Sequence, residues 1–396
     1  MTSLGQRRGL LLALGALSAF GPISMDLYLP SLPELQADLA TSDALAQFTM
    51  SACMIGLAFG QLVWGPVSDR FGRRWPLIIA VSAFTVTAVL CAAAPTIETL
   101  IVIRLIQGLC GSAGLVIARA VVHDLYSGPA ATRGYSTLAA IAGAAPILAP
   151  LGGGFLALFT DWRGVFLGLA AVGAAQLIIA IIFVPETHRR EHRVTGSIGN
   201  DFRGLAEALR NGPFMLAAIT MMFAFTALLT YVQMASFVFQ SEYAVSPQMF
   251  AVIFAINPCG IVACAQINRR LAGSIRPQRV MMVALTVATV ATAAMVAAAM
   301  AGLALVWILI PLFIAIALHG FNGPILTALS LAHITHGAGS ASAIIGMLPF
   351  LAGAVVPPLV SGSGVSALVM GATMLVALVL ALALASASTL RERADA

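Results

Sequence analysis

Apolar runs of about 20 residues recur along the whole chain, and short polar segments separate them. A helix of that length crosses the roughly 30 Å hydrocarbon core of a bilayer. We count twelve such runs, centred near residues 20, 55, 85, 108, 146, 174, 225, 258, 289, 315, 350 and 377. The pattern therefore predicts an all-α membrane protein with twelve transmembrane helices.

The longest polar stretch lies between the sixth and seventh runs, at residues 185–211. It predicts an N-terminal six-helix bundle over 1–184, a cytoplasmic linker over 185–211 and a C-terminal six-helix bundle over 212–396. The short arginine-rich, glycine-bearing segments 64–76 and 267–279 occupy equivalent places in the two halves. An internal repeat of six helices is an architecture that transporters use, so we expect two pseudo-symmetric bundles.

Composition supports a membrane protein. The chain is 60% hydrophobic and 9% charged, with a mean hydropathy of +0.99, whereas soluble domains are about 25% charged. The first run passes directly into further spans, so we expect it to be retained and not cleaved as a signal peptide. The five cysteines form no C-x-x-C motif, which argues against a disulfide framework.

Arginine placement predicts the orientation. All 20 basic residues are Arg, and with the N-terminus inside, 18 of them fall on inner segments. Arg163 is the one outer arginine and Arg104 lies within a span. This bias predicts both termini in the cytoplasm and an even number of spans. It also explains the net charge of +5 without a nucleic-acid partner.

Asp26 lies deep inside the first apolar run. A carboxylate at the centre of a membrane helix costs roughly 2.5–3.5 kcal/mol on insertion scales. Pro22 and Pro30 flank it at four residues on either side, and Pro30 has no N–H to offer the carbonyl of Asp26. We therefore expect this face to line a wet cavity. The alternative is a structural kink with a satisfied Asp26 near the outer headgroups.

Arg104 is the second buried ionisable group of the first half, and it shares a helical face with Gln107, Gly108 and Gly111. At about 1.5 Å per residue, Arg104 and Asp26 both lie in the outer half of the bilayer, within roughly 5 Å in depth. We predict that they are neighbours in one cavity, not necessarily in direct contact. The alternative is two independent groups, each satisfied locally.

The segment GPVSDRFGRR, residues 65–74, joins the second and third spans. We expect Gly65 and Pro66 to end the second span and Gly72 to permit a tight turn. Asp69 is expected to cap a helix or to pair with a guanidinium across the bundle. The segment resembles the signature loop of the major facilitator superfamily. The resemblance implies a conformational latch formed by Gly65, Asp69, Arg70, Gly72 and Arg73.

The fifth span contains GAAPILAPLGGGF, residues 143–155. Pro146 and Pro150 are expected to loosen the helix, and its glycines leave a smooth surface. The segment resembles the antiporter motif of drug exporters in the superfamily, with Pro150, Gly153 and Gly154 in place and Ala149 where that motif has glycine. An ordinary bent helix is the alternative.

Together the motifs resemble the twelve-span drug:proton antiporters, and within them the Bcr/CflA branch of bicyclomycin- and chloramphenicol-type exporters. The resemblance rests on MDLYLPSLP (25–33), GPVSDRFGRR (65–74), IRLIQG (103–108), ARAVVHDLY (118–126), APLGGG (149–154), DWRGVF (161–166) and VPET (184–187). It is dense in the first half, and in the second half only the topology and GML (346–348) remain. It implies proton-driven efflux without a cofactor, in which protons and a small drug are the partners of a monomer in the bilayer.

Polar residues in the remaining spans are candidate cargo contacts. With Asp26, Arg104 and Gln107 we group Tyr231, Asn257, His319 and Asn322. A polar residue of this kind inside a span is more often a satisfied hydrogen-bonding group than a cargo contact, and that is the alternative for each of the last four. The pairs His188/His192 and His333/His336 have metal-like spacing but lie in hydrophilic segments without cysteine, so we predict no metal site. No G-x-x-x-x-G-K-[ST] motif is present.

We therefore expect a transporter that exports small, largely apolar compounds in exchange for protons. Asp26 would take a proton from outside, release it inside and be tuned by Arg104. A proton symporter that imports a sugar or another metabolite on the same fold is the first alternative. A membrane-embedded enzyme or sensor is the second, but the chain carries no catalytic constellation or appended domain that would support it.

Overall fold

In a computed structural model of the chain, residues 4–126, 128–188, 208–332 and 338–394 are described. The chain divides into two compact units. The first comprises residues 1–197 with 247–252, and the second comprises 198–246 with 253–396. The described part is helical throughout and forms no strand apart from an isolated bridge between Ala272 and Ile275. The prediction of an all-α protein is therefore confirmed.

The helices of the first half run in sequence order with short connections. They are α1 (Leu4–Ser18), α2 (Phe20–Asp26), α3 (Leu32–Asp38), α4 (Asp43–Phe71), α5 (Arg74–Ala92), α6 (Ile97–Leu125), α7 (Gly128–Leu156) and α8 (Trp162–Phe183), with a 3-10 turn at Leu29–Ser31.

The helices of the second half are α9 (Gly212–Phe237), extended by a π turn at Val238–Glu242, then α10 (Pro247–Leu271), α11 (Pro277–Met300), α12 (Leu305–Ala317), α13 (His319–Ala332), α14 (Ala338–Val360) and α15 (Ala367–Ala394), with a 3-10 turn at Ser361–Ser363.

Eleven of the described helical segments are long and apolar enough to cross a membrane. A further bent pair, Gly9–Ser18 with Phe20–Asp38, passes the same test as one broken span with a 42° bend. Counted together they give up to twelve spans, in agreement with the number that the apolar runs predict. The chain is a multi-pass membrane protein.

The first span is broken around Asp26. Helix α2 ends at Asp26, a 3-10 turn covers Leu29–Ser31, and α3 begins at Leu32. Pro30 stands in that turn, where its missing N–H interrupts the helical ladder. The interruption predicted from the prolines is therefore present, and it lies directly after the residue that carries the buried carboxylate.

Side-chain caps start several of the spans. Ser42, Thr96, Asp161 and Asn211 each accept a hydrogen bond from the backbone N–H three residues later. These are the residue types that satisfy the unpaired N–H groups at a helix start. Local sequence thus fixes where α4, α6, α8 and α9 begin.

The second span continues past the point where we expected it to end. Helix α4 runs through Gly65 and Pro66 to Phe71. The prediction that Gly65 and Pro66 terminate the span is wrong, because the chain tolerates this proline inside a helix near its polar end. The helix ends instead at Gly72, whose φ of 96° is in the left-handed region that favours glycine. The tight turn predicted at Gly72 is confirmed.

Glycines bring α4 and α6 into backbone contact. A methyl group at Gly108 would overlap the backbone carbonyl of Cys53, and one at Gly56 would overlap the carbonyl of Leu105. Small residues at such positions allow membrane helices to approach closely. This contact fixes the depth of α6, and with it the position of Arg104 one turn away.

Gly108→Ala is expected to lower the melting temperature of the detergent-solubilised protein. The added methyl must displace the Cys53 carbonyl, and such overpacking costs about 1–3 kcal/mol. Gly143→Ala in α7 is the matched control, since nothing lies within 4 Å of its added methyl. Both variants gain the same helix propensity of about 1 kcal/mol. Equal melting temperatures for the two variants would contradict the close contact.

Candidate functional site

Arg104 is completely buried and lies in the first third of α6. Its Nη1 donates to the backbone carbonyl of Ser24 at 3.0 Å and to Oε1 of Gln107 at 2.6 Å. Ser24 belongs to α2, the helix that ends at Asp26. The structure therefore brings Arg104 and Gln107 together and ties them to the segment that carries Asp26.

Two aromatic rings lie beside the guanidinium of Arg104. Its central carbon is 4.5 Å from the ring centre of Tyr28 and 5.6 Å from that of Phe166. The rings are 5.2 Å apart, and the hydroxyl of Tyr28 hydrogen-bonds to Thr49 Oγ1 at 2.9 Å. Sequence reasoning missed both aromatic partners, although they lie in the motifs MDLYLPSLP and DWRGVF.

These contacts compensate the buried charge of Arg104, whose guanidinium does not lose its proton. Removing an ion from water costs several kcal/mol after relaxation. Each desolvated cation–π contact returns about 2 kcal/mol, and each hydrogen bond to a charged group about 1.5–3 kcal/mol. Two of each offset the cost without a carboxylate. The Nε and Nη2 atoms of Arg104 remain without a hydrogen-bond partner among the described residues.

Asp26 is 6% exposed, at the end of α2. Its carboxylate makes no ion pair or hydrogen bond with any of the described residues. Ser24 and Tyr28, two residues before and after Asp26, contact Arg104, but the side chains of Asp26 and Arg104 do not pair. That Asp26 and Arg104 are neighbours in one cavity stays a prediction.

The fifth span packs against the break beside Asp26. A methyl group at Gly153 would overlap the backbone carbonyl of Leu27, the residue after Asp26. Pro146 and Pro150 lie inside α7, which continues through both. Gly154 has the side chain of Ala251 as its neighbour. The antiporter-like segment is therefore in direct backbone contact with the segment that carries the acidic group.

The loop after α4 is held by a buried arginine. Arg73 is 5% exposed and forms an ion pair with Asp69. Its Nε donates to Asp124 Oδ2 at 3.0 Å, and its Nη1 donates to Ser68 Oγ at 2.8 Å. Burial by itself lowers the pKa of Arg73, but the carboxylates of Asp124 and Asp69 together raise it above its usual value.

Glu186 closes the same loop from the end of the sixth span. Its Oε1 accepts from the backbone N–H of Arg73 at 2.9 Å, and its Oε2 accepts from that of Arg74 at 3.3 Å. Thr187 donates to Asp124 at 3.0 Å. A carboxylate at the start of α5 also opposes the positive end of its helix dipole. Sequence reasoning missed Asp124 and Glu186, which lie in the motifs ARAVVHDLY and VPET.

Two expectations about this loop need correction. Asp69 neither caps a helix nor reaches across the bundle: its partner is Arg73, four residues along the chain. Arg70 is exposed and lies near the ring of Phe71, outside the network that holds Arg73. The reason in both cases is that α4 continues to Phe71, which places Arg73 and not Arg70 on the inner side of the turn.

In the second unit, two of the predicted polar residues contact one another. Asn257 Nδ2 donates to the hydroxyl of Tyr231 at 2.7 Å, and the ring of Tyr231 stacks on Phe254 with 5.1 Å between ring centres. Gln233 donates to the backbone carbonyl of Gly353. These residues match the alternative of satisfied buried groups at least as well as a role in binding.

His319 and Asn322 differ from those residues. His319 begins α13, directly after the break at Leu318, and its Nε2 hydrogen-bonds with the carbonyl of Ala224 at 2.7 Å. Its Nδ1 has no partner among the described residues. Asn322 is completely buried, and neither its amide nitrogen nor its amide oxygen has a described partner. Unsatisfied buried groups are rare in folded proteins and point to a missing partner.

No group of three or more potential metal-binding side chains occurs in the part of the chain that the structure describes. His192, His333 and His336, which have metal-like spacing with their neighbours, lie outside the described residues.

Comparison with known proteins identifies the family. The family model described as Major Facilitator Superfamily matches residues 12–357. The chain is 37% identical over 377 residues to the uncharacterized MFS-type transporter YdgK of Bacillus subtilis, covering 95% of this chain and 94% of that protein. It is 28% identical over 358 residues to a bicyclomycin resistance protein homolog of Haemophilus influenzae, covering 89% and 88%.

The fold agrees with this assignment. The crystal structure of a D-xylose-proton symporter is similar with a TM-score of 0.73 at 15% identity, covering 96% of this chain and 97% of that chain. At that identity the similarity concerns the fold alone. The relatives are consistent with the Bcr/CflA branch that the motifs resemble. The chain belongs to the major facilitator superfamily.

Proposed function

We propose that this protein exports small, largely apolar drugs across the cytoplasmic membrane in exchange for protons. Three observations support the proposal. A relative that aligns over most of the chain is a bicyclomycin resistance protein homolog. The antiporter-like helix contacts the carbonyl of Leu27 through Gly153. The neighbouring Asp26 is an ionisable group with no described partner.

The unpaired state of Asp26 carries the proposal. A buried carboxylate without a counter-charge or a hydrogen-bond donor is costly when ionised. A modest change in water access or in the position of Arg104 then suffices to release the proton. A carboxylate locked in a salt bridge could not respond in this way.

Arg104 is the second residue of the proposed proton-exchange site. Its Nε and Nη2 atoms are buried and have no hydrogen-bond partner among the described residues. We propose that they stabilise ionised Asp26, directly or through water, while the rings of Tyr28 and Phe166 hold the guanidinium in place. Asp26 takes a proton when it is open to the outside and releases cargo. It loses that proton to the cytoplasm when cargo binds from the inside.

The loop around Arg73 acts as the latch of one conformational state. Arg73, Asp69, Asp124 and Glu186 join α4, α5 and α6 to the end of the sixth span. A network of buried charged hydrogen bonds has two discrete conditions, formed or broken, which suits a two-state switch. The latch is distinct from the proton site. Breaking the latch is therefore expected to change the rate of transport more than the coupling of transport to protons.

Asn322 and His319 are the proposed cargo contacts of the second unit. Their free polar atoms offer a hydrogen-bond donor and acceptors on α13. A mostly apolar compound that presents one complementary polar group would satisfy them. Tyr231 and Asn257 satisfy each other, so their role in the proposal is to shape the pocket. In the proposed mechanism the protein works as a monomer and needs no cofactor, because the proton gradient supplies the energy.

A proton symporter that imports a sugar or another metabolite is the second candidate, and the fold it requires is present in the D-xylose-proton symporter. The antiporter-like α7 and the few polar groups in the spans favour export. The direction of transport decides between them. Exporting cells become resistant to a drug and accumulate less of it, whereas importing cells accumulate more of the substrate. An enzyme would be detected as chemical change of the compound.

Asp26→Asn is expected to abolish coupling to the proton gradient. Cells that express the wild type should survive higher concentrations of at least one antibiotic in a screen across drug classes, and Asp26→Asn should return them to the level of cells without the gene. In proteoliposomes, uptake of that drug by wild-type protein should increase with the imposed pH gradient, while the variant ignores the gradient.

Ser31→Ala is the matched control, since it removes another buried polar side chain of the same broken span. It should retain gradient-driven transport. If Asp26→Asn vesicles still follow the pH gradient, Asp26 is not the coupling group.

Asn322→Leu is expected to separate stability from transport. Replacing an unsatisfied buried amide by an apolar side chain of similar size removes a penalty of about 1–3 kcal/mol, so the empty protein should melt at a higher temperature. Transport of the drug should become weaker through a higher KM. Gln233→Leu provides the contrast, because it breaks the bond to Gly353 and should lower the melting temperature. Unchanged KM in Asn322→Leu would exclude Asn322 from cargo binding.

Arg73→Gln is expected to destabilise the protein by about 1.5–3 kcal/mol, because the buried guanidinium loses its charged hydrogen bonds to the partly exposed carboxylates of Asp69 and Asp124. Arg70→Gln makes the same chemical change near the same loop, but at an exposed position. It should change the free energy of unfolding by no more than about 0.5 kcal/mol. If the two variants lose equal stability, the network around Arg73 does not hold the loop.

A further inference from the structure

The loop between α10 and α11 is the counterpart, in the second unit, of the latch loop. It contains Gly273, whose φ of 88° turns the chain between Leu271 and Pro277. The loop and its flanking turns also carry four arginines. None of them forms an ion pair with an acidic residue of the described chain. The four are Arg269, Arg270, Arg276 and Arg279.

The two loops balance their charge differently. In the first unit, Asp69, Asp124 and Glu186 surround Arg73 and the start of α5. In the second unit, the described residues offer no carboxylate to the equivalent loop. The positive-inside bias places this loop at the cytoplasmic surface of the membrane. The four arginines of this loop are exposed and have no ion-pair partner among the described residues, so they are available to an anion from outside the chain.

One apolar groove ends at Arg279. It has a volume of about 250 Å³. Arg279 is the sole charged residue in its lining, whose other members include Val283, Val287, Leu318 and Phe321. Val283 is 65% exposed on a helix that crosses the membrane, so the groove opens toward the lipid.

A second groove lies beside the first and ends at Arg269. Its volume is about 340 Å³, and its lining includes Asn268, Pro324 and Ile325. The two grooves share Leu271, Ile275 and Val280, which form the wall between them. Each groove therefore combines an apolar channel with one arginine from the loop.

We propose that the paired grooves beside the α10–α11 loop bind an anionic phospholipid, with its headgroup phosphate between Arg269 and Arg279 and its acyl chains along the apolar walls. Arginine matches a phosphate through two parallel N–H donors. Basic pockets between membrane helices on the cytoplasmic side are suited to anionic headgroups. The lipid supplies the negative charge that Asp69, Asp124 and Glu186 supply in the first unit.

A soluble anion fits these observations less well, because it would pair with the arginines but make no use of the apolar lining that continues from them. A zwitterionic lipid would cover the walls but add no net negative charge beside four arginines. The inference does not depend on the identity or direction of the cargo, and lipid binding is measured without transport.

Native mass spectrometry of the full-length, detergent-purified protein tests the proposal. The protein is titrated with dioleoyl phosphatidylglycerol or with dioleoyl phosphatidylcholine, and the dissociation constant of the first bound lipid is measured. The wild type is expected to prefer phosphatidylglycerol. Each arginine near a phosphate contributes roughly fivefold, so Arg269→Gln combined with Arg279→Gln should reduce that preference by about 25-fold.

Arg270→Gln is the matched control, because Arg270 belongs to the same loop but lines neither groove. It should retain the preference within about twofold, since attraction from a distance is screened by salt. Equal affinity of the wild type for the two lipids would overturn the proposal, and this result needs no variant. An equal loss in Arg270→Gln, or displacement of the lipid by millimolar inorganic phosphate, would also overturn it.

Discussion

A charged side chain in a membrane-spanning helix needs compensation, and the structure around Arg104 is organised by that constraint. The guanidinium obtains it from two aromatic rings, the carbonyl of Ser24 and the amide of Gln107. None of these partners is an acid, and the carboxylate of Asp26 forms no ion pair within the described chain. A carboxylate without a fixed partner can both take up and release a proton.

The packing of the first unit maintains this arrangement. Gly56 and Gly108 bring α4 and α6 into backbone contact, which fixes the depth of Arg104. Gly153 allows α7 to touch the break after Asp26. A tight helix contact therefore stands on each side of the proposed proton site. Movement of α7 would displace the backbone at Leu27, the residue after Asp26. This contact is the physical connection between the antiporter-like motif and the proposed proton exchange.

The sequence was sufficient for the features that depend on composition and spacing. Apolar runs predicted the helices, and Pro30 and Gly72 predicted the break and the turn. It could not predict that α4 continues through Pro66, because tertiary packing decides whether a helix tolerates a proline. It also missed Tyr28, Phe166, Asp124 and Glu186.

Those four residues act through contacts between distant parts of the chain, which the motifs that contain them do not reveal. In the second unit, polar residues that looked alike in sequence separated into a satisfied pair, Tyr231 with Asn257, and an unsatisfied Asn322. The most direct test of the central claim is proton release from purified protein in weakly buffered detergent when the exported drug is added. The account predicts a drug-dependent acidification for the wild type and none for Asp26→Asn. Equal proton release from both proteins would contradict it.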